Sequence, residues 1–204
     1  MALSIDIEPR QVPKQARSRA RRLALLEHGV EVLAEKELDE LSIAEITAAL
    51  GYSTGSFYSY FADKTAFFIA VQQWVSDAQG KVVRDRIEAR DISDLSLIER
   101  LKLCVAITID YFRLRTGVIR SALRYERRIP QGWAPNRAMT QRIVSAATVG
   151  LNAVKKDKLE VALQLAFGML VNALLHDPGP LKLEDADLGD KIVVALSPYL
   201  DVSK

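Results

Sequence analysis

The segment Leu41–Lys64, LSIAEITAALGYSTGSFYSYFADK, constrains this chain more than any other stretch. Ser42 followed three residues later by Glu45 is a capping-box signature for a helix start. Ile43, Ile46 and Leu50 then recur with helical spacing and define one buried face. Gly51 falls where the chain must leave that helix, a position that favours left-handed backbone. Ser53 can cap a second short helix with Phe57 and Phe61 turned inward, and Asp63 can cap a third. Two short capped helices joined by a glycine turn are the plan of a helix-turn-helix.

The outward surface of the second of these helices is then Thr54, Gly55, Ser56, Tyr58 and Ser59. Gly55 lets backbone approach a groove closely, and Thr54 and Ser56 can hydrogen-bond a base edge or touch a thymine methyl. Tyr58 and Tyr60 can donate to phosphate oxygens. Ser42 and Ser53 stand at helix N-termini, whose free N–H groups and positive dipole end favour phosphate. A basic run, Arg10, Lys14, Arg17, Arg19, Arg21 and Arg22, contains no acid. It precedes a first helix marked by Leu23, Leu26, Val30 and Leu33, and places Arg17 and Arg19 to reach the DNA backbone or minor groove. The plainer reading is that the tyrosines pack a small three-helix unit and the basic run is a solvated tail. Net charge is only +2, so any positive footprint is confined to one face.

The remaining pattern is helical throughout, with no alternating β-branched run and no hairpin signal. Asp63 opens a fourth helix through Phe67, Phe68, Val71 and Val75, and the segment Lys81–Asp94 is charged. Leu97, Leu101, Cys104, Val105, Thr108 and Tyr111 share a face. Further helices are expected at about 116–128, 135–154, 158–174 and 183–200, the last broken near Pro198, with a break at Ile129–Trp133. The expectation is an all-α chain of about nine helices. Residues 1–12 read as a loose tail, 13–62 as a helix-turn-helix DNA-binding domain, and 63–204 as a C-terminal ligand-binding and dimerisation domain.

Several classes are disfavoured. There is no Gly-rich phosphate loop, no GxSxG, no HExxH and no paired histidine, so no enzyme or cofactor motif stands out. Cys104 lies mid-helix among apolar neighbours and reads as a structural thiol. His28 and His176 have no partner at zinc-ligand spacing, and the single cysteine excludes an internal disulfide. The N-terminus lacks an apolar signal core, and the run Val161–Leu175 falls short of the roughly 20 residues a bilayer needs. The chain therefore reads as cytoplasmic, with no membrane partner. The competing classes are a small helical enzyme or a protein-interaction module that keeps the fold.

From Arg17 to about Val71 the sequence resembles the TetR family of transcriptional regulators. Ser42, Ile46, Gly51, Tyr58, Phe61 and Lys64 carry the resemblance, which covers about a quarter of the chain. Glu37 stands where that family often has a glycine, and Thr47 where it often has alanine. The resemblance implies phosphate contacts from Tyr58, Tyr60 and Lys64, a palindromic double-stranded DNA operator, a homodimer, repression, and a small-molecule effector of unknown identity. It places a ligand pocket among the middle helices, with Cys104, Thr108, Tyr111, Phe112, Trp133, Met139 and Phe167 as lining candidates. One or two of the many arginines between Arg113 and Arg142 turned inward would favour an anionic ligand. Apolar residues at helical spacing, Leu163, Phe167, Leu170 and Leu174 with Ile192, Val193, Leu196 and Leu200, form the expected dimer surface; the alternative is that they close the monomer core.

Overall fold

The computed structural model describes residues 14–129, 134–176 and 179–201. These residues form nine α-helices: α1 (Lys14–Glu35), α2 (Ile43–Ala49), α3 (Thr54–Tyr58), α4 (Lys64–Val83), α5 (Leu97–Leu114), α6 (Thr116–Arg124), α7 (Ala134–Ala147), α8 (Ala153–Leu175) and α9 (Leu188–Asp201). A 3₁₀ turn spans Leu38–Glu40, and a π-helical turn, Arg84–Glu88, continues α4. The expected tail and its Arg10, and the predicted break at Pro130, Gly132 and Trp133, lie outside the described residues.

Side-chain caps set most helix starts. Ser42, Ser53, Asp63, Ser96 and Asn152 each accept the backbone N–H of the residue three further on, which satisfies a donor the helix itself leaves unpaired. The box expected at Ser42 is only half made: Glu45 turns its carboxylate to Lys36 at 2.6 Å. A complete box opens α5, where Ser96 accepts from the Glu99 N–H and Glu99 accepts from the Ser96 N–H. Gly51 adopts φ 67° after α2, and Gly150 φ 75° in the turn between α7 and α8.

Helix boundaries depart from the sequence expectation for physical reasons. Helix α1 begins at Lys14, not near Leu23, because Lys, Gln, Ala and Arg extend a helix without contributing an apolar stripe. Arg17 and Arg19 therefore lie within α1, not ahead of it. The expected 135–154 helix stops at Ala147, before the Gly150 turn, and α6 ends at Arg124. Helix α9 runs through Pro198, which sits on its exposed side in the last turns.

Helix α4 takes part in two packings. At its start Phe67 joins Phe57 and Phe61 in a triangle of rings with centroids 5.0–5.2 Å apart. Gly29 of α1 permits this approach, since a Cβ there would lie 2.5 Å from Phe67 Cζ. Further along, α4 packs against α7, while α5 packs against α8 and α9. Buried Arg100 holds the α5 start without a carboxylate partner. Its guanidinium donates to the carbonyls of Ile92 (2.6 Å), Val149 (2.7 Å) and Ala147 (2.9 Å), tying the end of α7 to the segment before α5.

Helix α6 crosses α1 closely. A Cβ on Gly117 would come within 1.8 Å of the Leu33 carbonyl oxygen, and backbone there cannot rotate away. Gly117→Ala should therefore destabilise the chain by about 2–3 kcal/mol or more, as overpacking against fixed atoms does. Urea denaturation would show this as a lower midpoint, and an unchanged midpoint would refute the crossing.

Candidate nucleic-acid interface and inner cavity

The reading helix shows the expected division of faces. Phe57 is fully buried, while Thr54, Gly55 and Ser59 are exposed and Ser56 is half-buried. Tyr58 is 55% exposed and stands edge-on to Phe57 at 5.5 Å, so its ring is braced while its hydroxyl faces outward. Thr47 is buried, and its hydroxyl donates to the carbonyls of Ile43 (2.9 Å) and Ala44 (3.1 Å), so the departure from alanine leaves no unpaired polar group.

Three contacts hold the basic start of α1 beside this unit. The Ser18 hydroxyl donates to the Tyr60 hydroxyl at 3.2 Å, leaving the Tyr60 hydrogen available to another acceptor. The Arg21 guanidinium lies 5.8 Å from the Tyr52 ring centroid, and Arg22 lies 5.6 Å from that of Phe61. Arg17 and Arg19 are exposed on the same helix. Cations crowded at the positive end of a helix repel one another and the dipole, which an anion relieves.

Lys64 does something the sequence did not suggest. Its ammonium donates to the carbonyls of Leu38 (3.2 Å) and Asp39 (2.9 Å), clamping the start of α4 to the connection after α1. That connection is also tied to α6: Arg124 pairs with Glu37, and Arg128 reaches Asp39 at 3.2 Å. Glu37, unexpected against the family pattern, is thus one half of a joint between head and body.

The expected dimer surface needs correction. Leu163, Leu170, Leu174, Ile192, Val193, Leu196 and Leu200 are all buried within a single chain, and Phe167 is half-buried. They close the core between α5, α8 and α9. Helix α8 is apolar on both sides, so periodicity alone chose the inward stripe. The outward stripe is Val161, Leu165, Gly168, Met169 and Asn172, with Leu165 47% exposed; on α9, Val194 is 72% exposed and Tyr199 lies beside solvent. At 23 residues α8 is also long and apolar enough to cross a membrane, longer than the run Val161–Leu175 suggested. One of its faces is committed to the core.

A cavity of about 40 Å³ lies among α5, α6, α7 and α8. Of the predicted lining, Thr108, Tyr111, Phe112, Met139 and Phe167 surround it, together with Leu163 and Leu170 from the misassigned stripe. Cys104 is buried but does not line it, and Trp133 lies outside the described residues. Sequence reasoning missed Asn136 and Thr140, polar residues on α7 that line it. The Tyr111 hydroxyl donates to Asn136 Oδ1 at 2.9 Å, and Asn136 Nδ2 donates to Gln72 Oε1 on α4 at 3.1 Å. Burial raises the Tyr111 pKa, so its proton stays in place. None of the described lining residues is charged, so the arginine-rich middle does not supply an anion site here. Among the described residues no three His, Cys, Asp or Glu side chains converge to hold a metal ion.

Residues 25–71 match the family described as bacterial regulatory proteins, tetR family. The chain is 36% identical over 62 residues to YvdT of Bacillus subtilis (strain 168), an uncharacterized HTH-type transcriptional regulator; the match covers 30% of this chain and 31% of that protein. Its fold is similar to a tetR-family transcriptional regulator from Streptomyces coelicolor, with a TM-score of 0.67, 21% identity, and coverage of 89% of this chain and 80% of that one. It is also similar to the transcriptional regulator FadR from Bacillus subtilis in complex with stearoyl-CoA, with a TM-score of 0.57, 17% identity, and coverage of 89% and 99%. The chain spans less than half the length of the curated relatives it matches. A helix-turn-helix head on an all-helical body is the arrangement this fold shares with those structures. The family match is confined to the head, residues 25–71, and the described fold as a whole is similar to that of TetR-family structures.

Burial pushes the Cys104 thiol up to about 12, which leaves almost no thiolate at neutral pH. A disulfide reagent at pH 8 should leave Cys104 unmodified in the folded protein and modify it fully in denaturant. Rapid reaction in the native state would reopen a nucleophilic role.

Proposed function

We propose that this protein is a DNA-binding transcriptional repressor that grips a palindromic operator as a homodimer and releases it when a small molecule enters the cavity. The observation that carries this reading is the capped α3, whose small and hydroxylated side chains face outward while α1 is pinned alongside with Arg17 and Arg19 exposed. Thr54, Gly55 and Ser56 read base edges; Tyr58, Tyr60, Arg17 and Arg19 contact the backbone, with the capped helix starts at Ser42 and Ser53. Lys64 contributes mainly by fixing α4. The regulator reading leaves no role for a catalytic residue.

A single head offers little area for tight specific binding, so a second copy doubles the readout. The outward stripes of α8 and α9, centred on Leu165 and Val194, are the proposed two-fold interface. A partner there removes from water apolar surface that a monomer leaves exposed. The effector acts by its differential affinity for two arrangements of α4, and so for two spacings of the heads.

Gel shift with DNA flanking the coding region should give a saturable complex, and Tyr58→Ala should weaken it about tenfold, as loss of one good contact does. No complex at low salt with any such fragment would sink the regulator reading. Leu165→Glu should convert a dimer to a monomer in light scattering and weaken operator binding; an unchanged mass would move the interface elsewhere.

A further inference from the structure

We infer that the cavity takes a neutral, largely apolar molecule bearing one hydrogen-bond-accepting oxygen, and that Tyr111 reads this oxygen through a reversible amide chain ending at Gln72 on α4. This rests on the effector-controlled reading above and gives its ligand a chemical class.

Charge is the first constraint. The cavity wall is aliphatic and aromatic, with Phe112 and Phe167 meeting edge-to-face at 5.6 Å, and no described lining residue is ionised. An anion placed there would be buried without a partner, at a cost far above that of a neutral group. The hydrogen-bond inventory is the second. Thr108 donates its hydroxyl hydrogen to the Cys104 carbonyl at 2.8 Å, and Thr140 donates to the Asn136 carbonyl at 3.0 Å. The Tyr111 hydrogen is given to a side-chain amide that can itself turn, so a change of partner can release it toward a ligand.

That other arrangement follows from the chain itself. A hydroxyl and two amides in series, Tyr111–Asn136–Gln72, pair in one of two directions. As observed, each donates toward Gln72, and Gln72 Nε2 is left buried with no partner on a residue that is 1% exposed. A half-turn of both amides reverses the series. Gln72 then donates to Asn136, Asn136 donates to the Tyr111 oxygen, and the Tyr111 hydrogen is freed.

With the cavity empty, the reversed direction orphans both that hydrogen and the Gln72 carbonyl oxygen, so the observed direction is preferred. An accepting oxygen beside Tyr111 takes the hydrogen and leaves only the Gln72 carbonyl under-satisfied, a smaller penalty than a buried donor without an acceptor. Ligand chemistry sensed on α5 thus changes the hydrogen bonding of α4, the helix that carries the head. Because the cavity holds about 40 Å³, occupancy by a molecule of benzene size or larger also requires its walls to part.

Calorimetry on the full chain without DNA tests this with three probes: acetophenone, isopropylbenzene of nearly the same shape but without the oxygen, and benzoate. Acetophenone and isopropylbenzene should bind and benzoate should not. Tyr111→Phe should weaken acetophenone relative to isopropylbenzene by about five- to tenfold, the worth of one buried hydrogen bond. The Gln72 side-chain amide resonance should shift with acetophenone and stay with isopropylbenzene, which a merely space-filling Tyr111 would not produce. Benzoate binding as tightly as acetophenone, an unchanged ratio in Tyr111→Phe, a stationary Gln72 resonance, or no binding of either neutral probe at millimolar concentration would each overturn the inference. A wild-type gel shift persisting beside any of those failures would leave the regulator reading intact. A missing gel shift beside intact probe selectivity would overturn that reading alone.

Discussion

Helix α4 is buried against two different partners, and the rest of the structure depends on that double commitment. Its first turns belong to the aromatic triangle of Phe57, Phe61 and Phe67, made possible by the missing side chain at Gly29. Its later turns lie in the body, where Val75, Gln79 and Val83 pack and Gln72 meets Asn136. Close-packed interiors have few intermediate arrangements, so a helix fixed at both ends transmits displacement as a rigid piece. The Asp63 cap and the Lys64 clamp on the Leu38 and Asp39 carbonyls stiffen its start.

A second mechanical link runs parallel to the first. Helix α6 contributes Ile119 to the cavity wall, lays Gly117 on the backbone of Leu33 in α1, and reaches Glu37 through Arg124. The exposed ion pairs in this joint contribute little energy singly. The backbone contact at Gly117 is the stiffer element, because no rotamer change can relieve it. Helix α6 therefore touches both the cavity and the head, while α4 reaches the cavity wall through the Gln72–Asn136 hydrogen bond.

Much of the head was legible in sequence because its signals are local. A cap three residues from its acceptor, a glycine at positive φ and two inward aromatics each depend on a few neighbouring residues, and Ser42, Gly51, Phe57 and Phe61 behaved accordingly. The body was less legible. Beyond its charged first turns helix α8 is apolar on two sides, so its periodicity does not say which stripe faces the core, and the stripe expected at the interface faces inward. The polar chain from Tyr111 to Gln72 joins residues 39 positions apart in sequence on three helices, and no spacing rule reports it. The early start of α1 was missed because helix propensity without an apolar stripe leaves no periodic mark.

In the proposed dimer, occupancy of the cavity moves α4 and with it the two heads. Pulsed electron-spin distance measurement between labels at Ser59→Cys in the two protomers of that dimer reports this directly, since Cys104 is buried. A shifted distance distribution is expected when a neutral cavity ligand is added at saturation. An identical distribution with the cavity demonstrably filled would contradict it.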